Sequence, residues 1–407
     1  MTGDRKALPS HSEIVIIGGG IIGVSIAYYL AKRGASEVLL LEKGMMGEGS
    51  TGKCAGGIRT QFTTEINIRF SQLSLEVFKG FKTEFGLDPE YQPVGYLFLA
   101  THENHWAILK SMAQVMKDMG LGVDLLEQAQ IARQWPFLRV NDLLGSSYTK
   151  DDGYAGPNEV LQGFVRGARR LGAVLKEEVK VVKIHTQKGR VQAVETDKGE
   201  KITTSVVINA AGPYAAQIAA MVGLDLPVCP LRRQIFFTDS FVALPPLIPM
   251  LIDMEHGWYM RREGKGLLLA GPQDNEISFN EQVDFEAREW SAARAIHRVP
   301  VLETARIMRG WAGLYEISPD HHGIIGSFPE VKGFICANGF SGHGFQHSPA
   351  VGMLVAELII EGQAKTLDIT PLRPTRFREG DLIFEPLTAF LPPNPWDKYQ
   401  GAGYGYH

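Results

Sequence analysis

The stretch EIVIIGGGIIGVSIAYYLAKRG, residues 13–34, decides how the chain begins to fold. Glu13 to Ile17 is a short β-branched run that reads as a buried strand. It enters a glycine turn and then an apolar helical pattern that stops at Gly34, a common helix-ending residue. Glu37 to Leu41 reads as a second buried strand, followed at once by Glu42. Together they form a βαβ unit of about thirty residues. Its first turn carries G-x-G-x-x-G at Gly18, Gly20 and Gly23. The first glycine permits the tight turn, the second lets backbone approach a pyrophosphate, and the third lets helix and strand pack closely. The helix start, at Ile21 and Ile22, offers unpaired N–H groups and a partial positive charge to phosphates. Glu42 is placed to accept hydrogen bonds from a ribose diol. An acid there disfavours a 2′-phosphate, so FAD or NAD is expected rather than NADP.

Composition narrows the remaining choices. The chain has 407 residues, 44% hydrophobic and 21% charged, as in an ordinary globular protein. A formal net charge of −4 argues against a nucleic-acid surface. The three cysteines, Cys54, Cys229 and Cys336, are odd in number and far apart, which argues against a disulfide framework or a zinc site. No metal is expected. The N-terminal MTGDRKALPSHSE lacks the apolar core of a signal peptide, and the apolar run from Ile14 is broken by glycines. A soluble cytoplasmic protein is the expectation, with no membrane span indicated.

Beyond Glu42 lies a glycine-rich loop, GMMGEGSTGKCAGGIR, residues 44–59. A loop after the second strand of a βαβ unit lies at the carboxyl ends of the strands, where ligands bind. Ser50 and Thr51 could reach a pyrophosphate, and Ala55, Gly56 and Gly57 leave room for a flat ring. A long amphipathic helix follows, capped by Thr63 or Thr64, with Ile66, Phe70, Leu73, Val77 and Phe81 at helical spacing. From Pro93 the texture becomes more strand-rich. Residues 231–320 read as mostly strand with one helix near Phe285–His297. The fold class is α/β with α+β character: a Rossmann-type FAD-binding domain carrying an inserted antiparallel-sheet substrate domain. The nucleotide-binding domain is expected from residues 10–90, 156–230 and 321–372, and the substrate domain from 91–155 and 231–320. Residues 373–407, ending in a tail rich in proline, glycine and aromatics, read as an irregular arm packed on a surface or a partner.

Four segments carry a resemblance to a known family: IIGGGIIGVSIAYYLA with Glu42; STGKCAGGIRTQF; VVINAAGPYA; and GFSGHGFQHSPAVGMLVAELI, which follows GLYEISPDHHGIIG. They resemble the D-amino-acid oxidase (DAO) family of FAD enzymes over about residues 12–370. The nearer likeness is to the sarcosine oxidase, glycine oxidase, dimethylglycine dehydrogenase and heteromeric proline dehydrogenase β-subunit branch. The resemblance implies FAD contacts at Lys43, at Val179 through its backbone, and at Ala210, Ala211 and Gly212. It implies further contacts at Gly313, Gly339, Gly342, His343, Gly344, Phe345 and Gln346. The last helix is expected to start near Ser348 and Pro349, with its positive end toward the flavin.

The family reaction, as the resemblance implies it, oxidises a C–N bond beside a carboxylate. A hydride passes from the α-carbon to flavin N5, and water then hydrolyses the imine. A carboxylate anchor should be an arginine, whose planar fork makes two hydrogen bonds. Arg59 stands where the family has one; Arg232, Arg261 and Arg262 are the runners-up. Tyr315 matches a pocket tyrosine, and Tyr259 in HGWYMRR and His343 are weaker site candidates. Where several relatives attach the flavin to a cysteine, this chain has Gly313, which implies non-covalent FAD; Cys54 reads as an inert thiol. Gln346 replaces the lysine by which sarcosine-oxidising relatives hold the substrate carboxylate; no lysine clearly matches the oxygen-activating one of monomeric oxidases, with Lys265 in the right region. The expected partner is a small amino-acid or amine substrate, with dehydrogenase subunits or a second copy as further partners. The alternative is a flavin-binding subunit or assembly factor of a larger redox complex, with little catalysis of its own.

Overall fold

The computed structural model describes residues 8–390 together with 395 and 396, the side chains of 389 and 390 excepted. Two sheets carry the architecture. The first has six strands in the order Ile324–Ser327, Phe334–Asn338, Val206–Asn209, Ile14–Ile17, Val38–Leu41, Val174–Lys176. Every neighbouring pair is parallel except the edge strand Ile324–Ser327. The four residues of each of Ile14–Ile17 and Val38–Leu41 are buried, as parallel strands covered on both faces require. Helices Ile21–Lys32, Glu65–Phe85, Pro157–Arg170 and Gly344–Glu361 cover one face and share a core with Ile14, Ile16, Val38 and Leu40. Strand Ile14–Ile17 has Val38–Leu41 on one side and Val206–Asn209, far along the chain, on the other. Chain connectivity therefore reverses there, and the carboxyl ends of the two central strands open a crevice between Gly18 and Ala210.

The second sheet has eight strands in the order Ile307–Ile317, Cys229–Thr238, Gly266–Ile277, Trp258–Glu263, Met250–Asp253, Tyr96–Ala100, Gly145–Thr149, Asp124–Leu126. It is antiparallel apart from the pair Met250–Asp253 with Tyr96–Ala100. Helix Phe285–Arg298 and its neighbours pack on one face with Phe236, Leu251, Met260 and Leu269. The opposite face carries Phe98 and Ile252, covered by helix Glu103–Asp118, and further across Ile235, Phe237 and Leu268. The mixed α/β class with parallel and antiparallel sheets is the one read from the sequence.

One local expectation needs correction. Helix Gly344–Glu361 begins four residues before Ser348, so Pro349 lies inside it. Proline lacks the N–H that would bond the Phe345 carbonyl, and the Ser348 hydroxyl donates to that oxygen instead, at 2.8 Å. The arm beyond residue 373 is built into the chain. Arg376 is fully buried and forms a bidentate pair with Asp320, 2.8 Å for each bond. Glu385 is buried and accepts from Thr64 and Asn67 at the start of helix Glu65–Phe85, while Leu387 joins the core beside Tyr96 and Met250. Trp396 packs on Cys229 and Ile317. The rest of the arm, 391–394 and 397–407, lies outside the described residues.

Removing one member of a buried ion pair leaves the other charge desolvated. Arg376→Ala is therefore expected to lower unfolding free energy by about 3–5 kcal/mol. Chemical denaturation measures it. Removal of the exposed Lys79–Glu76 pair, 3.0 Å apart, is the control and should change stability by about 0.5 kcal/mol or less.

Candidate active site

A cavity of about 660 Å³ occupies the crevice and runs from the six-stranded to the eight-stranded sheet. At one end it is lined by Glu42, Lys43, Val179 and Tyr214. Glu42 is held by two backbone amides, Gly19 N at 2.6 Å and Gly44 N at 2.8 Å, and its carboxylate keeps free acceptor positions. The Lys43 ammonium lies 3.0 Å from the Tyr214 ring centre, and the Val179 amide donates to the Glu42 carbonyl at 2.8 Å. The middle is walled by small residues or by loop: Gly18, Gly20, Ser50, Thr51, Ala55, Ala210, Ala211 and Gly212. Thr51 accepts from Ile21 N at 3.0 Å, and Ser50 donates to the Leu314 carbonyl at 2.6 Å, tying this loop to both sheets.

Two helix N-termini open on the cavity. Ile21 and Ile22 of the first helix and Gly344 and Phe345 of the last line it, and neither helix has a side-chain cap. Thr51 takes the Ile21 amide, and the remaining first-turn N–H groups and the helix dipoles favour negative charge. A lined cleft of this size, with an acid at one end and a helix terminus at its centre, fits an extended dinucleotide such as FAD.

The far end is built by one face of the eight-stranded sheet. Side chains alternate along a strand, so Arg233 and Ile235 face the cavity while Arg232 and Phe236 face the other way. Gly313 lies directly opposite Arg233 in the ladder, and Tyr259 and Tyr315 complete the wall. Burial raises both tyrosines above the ordinary phenol value, so they are donors at neutral pH. Cys54 also lines the cavity, and burial pushes its thiol up to about 11, so it is not a thiolate. Lys53, paired with Glu281 at 2.8 Å, closes the wall beside Gly313.

The other arginines named from the sequence stand elsewhere. Arg232 is paired with Asp274 at 2.6 Å and with Asp284. Arg262 is buried and donates to the carbonyls of Phe241, Leu244 and Pro245. Arg261 donates to Ala55 O at 2.6 Å and pairs with Glu263. Lys265 is exposed in the turn between Trp258–Glu263 and Gly266–Ile277. Arg59 is buried behind the cavity wall rather than lining it. Its guanidinium lies 3.9 Å from the Phe62 ring centre and donates to Gln61 O and, at 3.1 Å, to His343 Nε2.

Gln346 and His343 belong to that same buried cluster. Gln346 accepts from Arg59 N at 3.0 Å and lies 3.1 Å from His347 Nε2, which is 2.9 Å from Ser71 Oγ. Burial, and then the nearby Arg59 cation, hold His343 well below the usual histidine range and His347 at about 3. Both rings are therefore neutral. Gly56, Gly57 and Gly339 lie outside the lining as well, and Gly23 is packed under the turn. The sequence reading missed Arg233, Glu316 and the Lys53–Glu281 pair. The only signal for Arg233 was its spacing of two and four from Ile235 and Phe237.

Comparison with known proteins agrees with this geometry. The pattern of the family described as FAD dependent oxidoreductase (DAO) matches residues 13–358. The Xenopus laevis FAD-dependent oxidoreductase domain-containing protein 1 is 32% identical, covering 94% of this chain and 86% of the relative. Human mitochondrial dimethylglycine dehydrogenase is 30% identical over 90% of this chain, which corresponds to 44% of that longer protein. The crystal structure of L-proline dehydrogenase from P. horikoshii superposes with a TM-score of 0.86 at 33% identity, covering 92% of this chain and all of that one. The chain belongs to the DAO family of FAD-dependent oxidoreductases. Among the described residues no helix is long and apolar enough to cross a membrane.

Glu316 lines the cavity and accepts from Gly339 N at 3.0 Å. Burial raises its carboxyl to about 7 from an ordinary 4.5. Between those values the folded chain keeps a proton that the unfolded chain releases, so this group's contribution to stability falls as pH rises through the window. Glu316→Gln removes that loss. The melting temperature of the variant relative to the native chain is expected to climb between pH 5 and 7, by on the order of 2 °C, and to level off above it.

Proposed function

We propose that this flavoenzyme oxidises the C–N bond of a small secondary or N-alkyl, cyclic or D-amino acid to an imine that water then hydrolyses. The observation that carries the reading is a single cavity whose one end suits the ribose of FAD and whose other end gathers two tyrosine hydroxyls and an arginine. The L-proline and dimethylglycine dehydrogenases it resembles support the substrate class.

Glu42 would hold the ribose and the backbone at Val179 the adenine. The N-terminus of helix Ile21–Lys32, with Ser50 and Thr51, would hold the pyrophosphate. Ala210–Gly212 and Gly342–Phe345 would flank the ring. Bound FAD supplies the hydride acceptor. The chain's own residues have three tasks. Tyr259 and Tyr315, protonated at neutral pH, orient polar groups of the substrate through their hydroxyls. The cation of Arg233 disfavours a second positive charge nearby, which keeps the substrate amine in its neutral, reactive form. The Lys53–Glu281 pair shields the wall beside Gly313 from water.

Anaerobic mixing of the holoprotein with sarcosine, dimethylglycine, L-proline and D-amino acids tests the reading. At least one should bleach the visible flavin absorbance; a panel in which none does would sink it. Because residue 313 is glycine and Cys54 stays a thiol, acid precipitation should leave the protein colourless and the flavin in the supernatant.

A further inference from the structure

Among the described residues Arg233 is the one cavity-facing arginine on the wall formed by Tyr259, Gly313 and Tyr315. Both of its hydrogen bonds leave from Nη1, to the carbonyls of Arg232 at 2.9 Å and Asp274 at 2.8 Å. Its Nε is buried without a partner. Among the described residues no carboxylate lies within ion-pair distance of it, since the Asp274 side chain is taken by Arg232. Its guanidinium carbon lies over the Tyr315 ring, 5.1 Å from the ring centre. Across the ladder, Gln273 Oε1 is likewise buried without a partner. Opposite Arg233 in the ladder Gly313 carries no side chain, and the Lys53 side chain packs over that position, 2.9 Å from where a Cβ would stand.

A buried guanidinium has five N–H donors to satisfy, and its desolvation costs several kcal/mol unless an anion or enough acceptors offset it. Arg262 meets this with loop carbonyls on all three of its nitrogens. Arg233, half-buried and facing the cavity, meets it within the chain on one nitrogen, and its Nε is buried without an acceptor. Resting on the amino-acid reading above, we infer that Arg233, and not Arg59, is the site that takes the substrate carboxylate, with Tyr315 and Tyr259 beside it. The shape of the fork sets the ligand class: a planar monocarboxylate, accepted through two parallel N–H···O bonds. A neutral isostere that returns only one acceptor leaves Nε unpaired and is discriminated against. Gln346 does not line the cavity and its amide is engaged with Arg59 N and His347, so it takes no part in holding a carboxylate on this wall.

The test uses equilibrium binding to the oxidised holoprotein, read as perturbation of the flavin absorbance, with benzoate as probe and benzamide as its neutral twin. The native chain should bind benzoate saturably and benzamide at least tenfold more weakly. Arg233→Gln should weaken benzoate about thirtyfold or more with flavin content unchanged, as expected for a lost charge-assisted pair. Arg233→Lys, which keeps the charge but not the fork, should fall between the two and serves if the glutamine variant does not fold. Arg232→Gln should bind benzoate as the native chain does. Native-like benzoate binding by Arg233→Gln, its loss in Arg59→Gln instead, or no binding by the native chain would each overturn the assignment. Binding is read without turnover, so the two proposals fail separately. Benzoate bound through Arg233 in a chain that no amino acid bleaches keeps the site and removes the amine-oxidising reading. Bleaching by an amino acid at unchanged affinity in Arg233→Gln does the reverse.

Discussion

The carbonyl oxygen of Gly18 lies 2.0 Å from where a Cβ on Gly23 would stand, so strand and first helix meet backbone to backbone. On the far side of that helix the last helix comes equally close: a Cβ on Gly352 would stand 2.2 Å from Ser25 Oγ. The same serine donates to Ser348 O at 2.8 Å. The two helices whose N-termini open on the cavity are thus locked to each other, through the small Ser25 side chain, and to the central strand. Their free N–H groups keep one spacing relative to the crevice between Gly18 and Ala210. A bulkier residue at either contact would move a helix end, and with it a positive dipole that opens on the cavity.

That constraint is local in sequence at its first contact, which is why the N-terminal unit was legible. Turn, helix, second strand and Glu42 fall within about thirty residues, each announced by its own residue type. The observed bounds, Ile14–Ile17, Ile21–Lys32 and Val38–Leu41, depart from the expected ones by a residue or two. The start of the last helix was not legible. Proline reads as a first-turn residue, yet here a serine hydroxyl replaces the missing amide hydrogen and the helix extends back to Gly344. Gln346 and His347 therefore sit in its first turns and point to Arg59 N and Ser71. The glutamine that seemed to bear on the substrate belongs to a buried polar cluster of neutral histidines.

The antiparallel sheet hid more. Both faces of strand Cys229–Thr238 are covered, one by helix Phe285–Arg298 and one by the cavity wall, so apolar residues fall on both. The alternation that would have separated Arg232 from Arg233 is blurred. The pairing with Gly266–Ile277 also shifts register on either side of Arg233. A slip of one residue on a strand exchanges the faces. Sequence could place an arginine pair on this strand but not decide which member met the ligand.

What decides it is how each buried guanidinium is satisfied. Arg298 meets Asp253 and Asp142, Arg376 meets Asp320, Arg232 meets Asp274 and Asp284, and Arg262 fills its fork with carbonyls. Arg59 has no carboxylate at contact, but its outer nitrogens are engaged and an aromatic ring covers its face. Each is a closed arrangement in which an added anion would have to displace an existing partner. Among the described arginines Arg233 alone combines a cavity-facing position, a guanidinium lying over the Tyr315 ring, and a buried donor without an acceptor. Burial lowers the affinity of this group for its proton, yet an arginine stays charged across the physiological range. Its desolvation is then only partly offset within the chain, and a bound carboxylate would supply the rest. In a family where the flavin does the redox chemistry, the protein's part is to bring one carbon to one place. A fork on a rigid sheet does this better than a residue on the glycine-rich loop that carries Arg59.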